Sequence, residues 1–93
     1  MIARNEIVEV KKECPVAQLR GLRARVLGNL QANEKHDEPG LLLEVLSNRG
    51  RTVKPRLDDE DPRKNRHGYM RYVKDELVGF RFRLSANQVT LTN

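Results

Sequence analysis

Gly79-Phe80-Arg81-Phe82-Arg83-Leu84 is the stretch that decides the fold class. Apolar residues alternate with arginine, the period-two signature of a strand with one face in a core and one in water. The alternation places Phe80, Phe82 and Leu84 inward and Arg81 and Arg83 outward. Ser85-Ala86-Asn87-Gln88 reads as one tight turn, and Val89-Thr90-Leu91 as a short last strand.

Toward the N-terminus, residues 41–46 (Leu-Leu-Leu-Glu-Val-Leu) and 52–57 (Thr-Val-Lys-Pro-Arg-Leu) are two strand-like runs around Ser47-Asn48-Arg49-Gly50-Arg51. That connection supplies Asn and Gly, which tolerate positive φ, so the segment predicts a hairpin. Pro55 has no amide hydrogen for a ladder bond, which makes the second strand an edge or a bulged strand. Pro39-Gly40 marks the entry to the hairpin.

Residues 15–33 admit two readings. Val16, Leu19, Leu22, Val26 and Leu30 fit a helical stripe, with Pro15 suited to a first helical position. Against this, Gly21 and Gly28 would each cost about 1 kcal/mol inside a helix. Leu22-Arg23-Ala24-Arg25-Val26 alternates as a strand between the same glycines. Ile7-Val8-Glu9-Val10 is a further alternating candidate. Residues 29–40 and 58–68 are polar without apolar period and read as loops, the second carrying four acids (Asp58, Asp59, Glu60, Asp61) before Arg63, Lys64, Arg66 and His67.

A strand opening with Gly-x-Arg-x-x-Val at Gly21, a central hairpin over 41–57, and an alternating strand, turn and last strand over 80–91 together resemble the small SH3-like barrels. The tail is also similar to that of SH3-like accessory subunits of redox complexes. The resemblance covers about half the chain and implies a mainly β fold: a small barrel of about five strands with one helical turn before the last. The alternative is an α+β domain with an N-terminal helix over 15–32 packed on a small antiparallel sheet. Because SH3-like barrels host many unrelated functions, the resemblance carries no activity with it. Recognition of polyproline, which needs an aromatic-lined groove, is disfavoured by the composition. The chain has two Tyr, two Phe and no Trp, and Phe80 and Phe82 are assigned to the core.

Ninety-three residues suit a single domain with a small core. Cys14 is the sole cysteine, which rules out an intramolecular disulfide and leaves a structural zinc site without its usual thiolates. No apolar run approaches the roughly 18 residues of a membrane span, and the opening residues lack a continuous apolar segment. A cytoplasmic location without membrane contact is therefore expected. Lys plus Arg exceeds Asp plus Glu by 18 to 13, a net +5 rich in arginine. That balance favours an acidic partner, nucleic acid or protein.

No catalytic or metal-binding constellation is visible. Asp58–Asp61 lacks the spacing of a calcium loop. Nothing in the sequence brings Cys14 to His36 or His67. Arg49-Gly50-Arg51 lacks the lysine and helix start of a phosphate loop. No cofactor and no enzyme activity are expected.

What remains is a basic surface. Strand alternation sends Arg23, Arg25, Lys54, Arg56, Arg81 and Arg83 outward, with Arg63, Lys64, Arg66 and Arg71 nearby and Tyr69 or Tyr72 available to stack a base. The plainer explanation is that arginine keeps an outer sheet face wet and guards against edge aggregation, and the same alternation puts Glu9 and Glu44 on that face. If Leu41, Leu43 and Val45 point inward, Leu42 and Leu46 point outward and offer an interface. The expected function is thus a non-catalytic binding module, nucleic-acid binding through an Arg/Lys-rich sheet face. The alternative is a protein-interaction or accessory-subunit domain that self-associates into a homo-oligomer.

Overall fold

Leu22, Ala24 and Val26 are fully buried while Arg23 is exposed and Arg25 half-buried, which settles the ambiguous N-terminal stretch as strand. The computed structural model describes residues 2–55, 70–79 and 81–92, with the backbone alone at positions 55 and 71. The helical alternative over 15–32 fails at Gly21, whose φ of 77° no right-handed helix accommodates. Only a 3₁₀ turn, Ala17–Leu19, forms before it and drops Leu19 into the core. The strand also outruns its expected boundary. It passes through Gly28 at a register shift and continues to Leu30.

The described chain is mainly β. Its strands are β1 (Ile7–Val10), β2 (Leu22–Leu30), β3 (Gly40–Asn48), β4 (Arg51–Thr52), β5 (Lys54–Pro55), β6 (Met70–Val73), β7 (Glu76–Gly79), β8 (Arg81–Leu84) and β9 (Val89–Leu91). One sheet runs β9-β1-β2-β3, and the far edge of β3 is shared by β8, along 41–44, and β4, along 47–48. A smaller sheet has the order β5-β7-β6. The turn expected over 85–88 is a 3₁₀ turn, Ala86–Gln88, directly before β9.

The sheets do not close into the expected barrel. Closure needs hydrogen bonding between outer strands, and among the described residues none joins β8 to β9. β9 is three residues long, and the Val89 amide is already donated to Ala86 O of the preceding turn.

The inward residues predicted from alternation meet in one core. Leu41, Leu43 and Val45 of β3 lie with Val8, Val10, Leu22, Ala24, Val26, Phe82, Leu84 and Val89. Phe80 lies outside the described residues. Cys14 is buried and free, a core residue.

The central hairpin forms within the expected 47–51 connection, with Arg49-Gly50 as its turn. Pairing of Ser47 with Thr52 and Asn48 with Arg51 leaves a two-residue loop, in which φ is 51° at Arg49 and 83° at Gly50. Two positive φ values in succession are the pattern whose twist matches the flanking strands. The outgoing strand breaks at Val53, whose amide bonds to Leu46 O at 3.0 Å. It resumes as β5, an edge strand as Pro55 requires, pairing in parallel with β7.

A second hairpin, β6–β7, has no counterpart in the sequence expectations. Its two turn residues, Lys74 and Asp75, also have positive φ, of 49° and 66°. Where β7 leaves the small sheet, Gly79 approaches the main sheet so closely that a Cβ there would lie 2.8 Å from Val53 Cγ1 and 3.1 Å from Val45 Cβ.

Candidate nucleic-acid interface

Cross-strand register on the outer face of the main sheet sets the charges in rows. One row reads Ile7, Arg25, Glu44, Arg81 across β1, β2, β3 and β8. The next reads Thr90, Glu9, Arg23, Ser47, Thr52 across β9, β1, β2, β3 and β4. Each row therefore places a carboxylate directly opposite an arginine, the pairing that stabilises adjacent strands. Arg25 Nη2 donates to Glu44 Oε1 at 2.7 Å, and Glu44 is the buried charged residue of the described chain. Arg81, opposite Glu44 on the other side, is half-buried and already engaged.

Two further cations are tied to the fold. Arg83 Nη2 donates to Gln31 O at 3.2 Å and to Glu38 O at 2.8 Å, so its head holds the 31–39 loop against β8. Gly40 makes room for this: a Cβ there would sit 2.9 Å from Arg83 Nε. Lys54 is in the small sheet, not on the face, and pairs with Glu76 at 3.3 Å with both side chains well exposed. The expected continuous cationic surface thus becomes a mixed-charge face. Arg25 is balanced in place by Glu44, while Arg23 stands opposite Glu9 in register without an ion pair between them among the described residues.

Leu42 and Leu46 do point away from the core, yet both are half-buried and do not make an exposed apolar face. Leu42 lies between Gly28 and Arg83 on the neighbouring strands. Leu46 is the extra residue at the register shift in β3, where Arg23 pairs with Ser47 and Ala24 with Val45. Among the described residues, the large apolar or aromatic side chains that are exposed are Tyr72, Val73 and Leu91.

Exposed cations also gather at the end of the β3–β4 hairpin. Arg49 and Arg51 flank Gly50 and are exposed, and Arg23 stands one strand away, opposite Ser47. Among the described residues neither Arg23 nor Arg49 has an ion-pair partner. Arg51 reaches across to the small sheet, where it donates through Nη1 to Tyr72 Oη and lies 5.7 Å from the centroid of the tyrosine ring. Tyr72 remains 58% exposed. Arg49 and Arg51 lie outside the strand faces from which strand alternation predicts a binding surface. The signal is present in the Arg-Gly-Arg stretch itself, because a tight loop and the residue that closes it stand at the end of a sheet, open to solvent.

Arg56, Arg63, Lys64, Arg66 and Tyr69 lie outside the described residues, as does the acidic run 58–61, and Arg71 is placed only by its backbone in β6. Among the described residues no group of three or more His, Cys, Asp or Glu gathers to hold a metal, and no helix is long and apolar enough to cross a membrane. No known protein family, curated protein or solved structure matches the chain.

Proposed function

We propose that this domain is a non-catalytic binding module that engages nucleic acid at the end of the β3–β4 hairpin. The observation that carries the proposal is the grouping of exposed Arg49 and Arg51 with Arg23 beside an exposed tyrosine, on a chain of net charge +5. Arginine suits phosphate because its planar fork donates two parallel hydrogen bonds and keeps its charge at any working pH. Strand order β9-β1-β2-β3-β8, with a 3₁₀ turn before β9, supports reading the fold as an open relative of the SH3-like barrels.

Arg49→Asn is the cleanest test. Asparagine accepts the positive φ of that position, so the turn survives while one cation is lost. Fluorescence polarisation with short oligonucleotides at low salt should show binding by the parent chain and weaker binding by the variant. Equal binding by the two proteins would remove the hairpin end as the site.

A second reading, a protein-interaction or self-associating subunit domain, draws on a different residue from those first expected. Leu91 is exposed on β9, an edge strand carrying neither charge nor proline. If that edge is the interface, Leu91→Lys changes the mass measured by light scattering, and Arg49→Asn does not.

A further inference from the structure

We infer that the hairpin-end site takes single-stranded nucleic acid in preference to duplex, with one unpaired base stacked on Tyr72; the inference rests on the nucleic-acid reading above. The argument begins with the ring. A tyrosine on an edge strand of the small sheet has no core to enter, yet this one is not left to rotate. Arg51 comes from β4 of the main sheet, hydrogen-bonds to its hydroxyl and keeps its guanidinium at the hydroxyl end of the ring, 5.7 Å from the centroid. The residue still exposes more than half its surface. The ring is thus oriented before any ligand arrives, which lowers the entropy lost on binding.

An exposed, oriented ring selects its ligand by what the ligand can offer. Bases in a duplex have their faces covered by neighbouring pairs and present only their edges in the grooves, where an α-helix or a long two-stranded ribbon reads them. Bases in a single strand present their faces, and an aromatic side chain stacks on any of the four. Arg51, which touches Tyr72, belongs to a hairpin end that fits the second geometry. That end is a two-residue loop with Arg49 in it and Arg51 closing it, and Arg23 is on the adjacent strand opposite Ser47. These three cations allow about three phosphate contacts, which for a single strand gives a slope of log affinity against log salt of about −2.

The test compares one short sequence as single-stranded RNA, single-stranded DNA and duplex DNA, using fluorescence polarisation with the full chain and three variants: Tyr72→Ala, Tyr72→Phe and Arg49→Asn. Circular dichroism and thermal melts confirm that each variant is folded. The single strands should bind roughly tenfold or more tighter than the duplex. Tyr72→Ala should lose on the order of ten- to a hundredfold of single-strand affinity, with Tyr72→Phe losing only a few-fold because the ring is retained and only its hydroxyl tie to Arg51 goes. The chain has no tryptophan and two tyrosines, so in a Tyr69→Phe background the emission reports Tyr72 alone, and stacking should quench it. Duplex binding as tight as single-strand binding, with Tyr72→Ala silent and Arg49→Asn weakened on both, overturns this inference while the nucleic-acid reading stands. Absence of binding to all three polymers at low salt removes both.

Discussion

Arg25 on β2 and Glu44 on β3 face each other with 2.7 Å between Nη2 and Oε1, and the carboxylate side chain is 5% exposed against 43% for the guanidinium. The pair is thus asymmetric: water reaches the cation and hardly touches the anion. With Arg81 at the facing position on β8, Glu44 is a buried negative charge set between arginines on adjacent strands. Removing it leaves those cations on neighbouring strands without their common counter-charge.

Glu44→Ala is therefore expected to destabilise the fold by ~1–3 kcal/mol, below the roughly 3–5 kcal/mol of a fully buried pair because Arg25 keeps part of its hydration. Urea unfolding measures this. The double variant with Arg25→Ala should lose less than the sum of the single changes, since both remove the same interaction. Strict additivity would mean that the contact contributes nothing.

Substitution at Arg83 should act on the 31–39 loop rather than on a binding surface. Its guanidinium holds two carbonyls of that loop, each hydrogen bond to a charged donor contributing about 1.5–3 kcal/mol at most. In Arg83→Ala, amide hydrogen exchange at 31–39 should accelerate while exchange in β1 and β2 stays slow. Unchanged exchange in the loop would show that the tether is idle. The same reasoning makes charge reversal at Arg83 a poor probe of ligand binding, because it disturbs the fold first.

Two glycines should respond in opposite ways to alanine. At Gly79 a Cβ meets Val53 and Val45 at 2.8 and 3.1 Å, whereas at Gly28 it meets nothing within 4 Å and the backbone is not left-handed. Gly79→Ala should cost about 1–3 kcal/mol through overpacking. Gly28→Ala should be neutral or stabilise by a few tenths to about 1 kcal/mol by restricting the unfolded chain. Thermal melts of the two variants, if they shifted alike, would contradict this account of the crossover at Gly79.

Cys14 is fully buried within the core. A thiol reagent should label it only as fast as the domain opens, and denaturant should abolish the protection. Rapid labelling of the native protein would place the thiol at the surface instead.

Much of the fold was legible because period-two alternation is a local signal. Phe82 and Leu84 against Arg81 and Arg83, Leu22, Ala24 and Val26 against Arg23 and Arg25, and the 85–88 turn all follow from neighbouring side chains alternating in polarity. The β6–β7 hairpin escaped notice because its turn is Lys74-Asp75, without the glycine or asparagine that usually marks positive φ. The open edge escaped too, because barrel closure depends on where two strands distant in sequence end.

The sequence alone determined the inward faces of β1, β2, β3 and β8 and the strand-turn-strand order of residues 81–91, since each rests on chemistry within a few residues. Only the tertiary structure decided which charges remain available. Glu44 engages Arg25, and the loop carbonyls of Gln31 and Glu38 engage Arg83, through contacts that span strands. Arg23 and Arg49 stay exposed without an ion pair among the described residues, and Arg51 turns to Tyr72. Coulomb attraction and hydrogen bonding act through space, so the availability of an arginine is set by what the fold places opposite it.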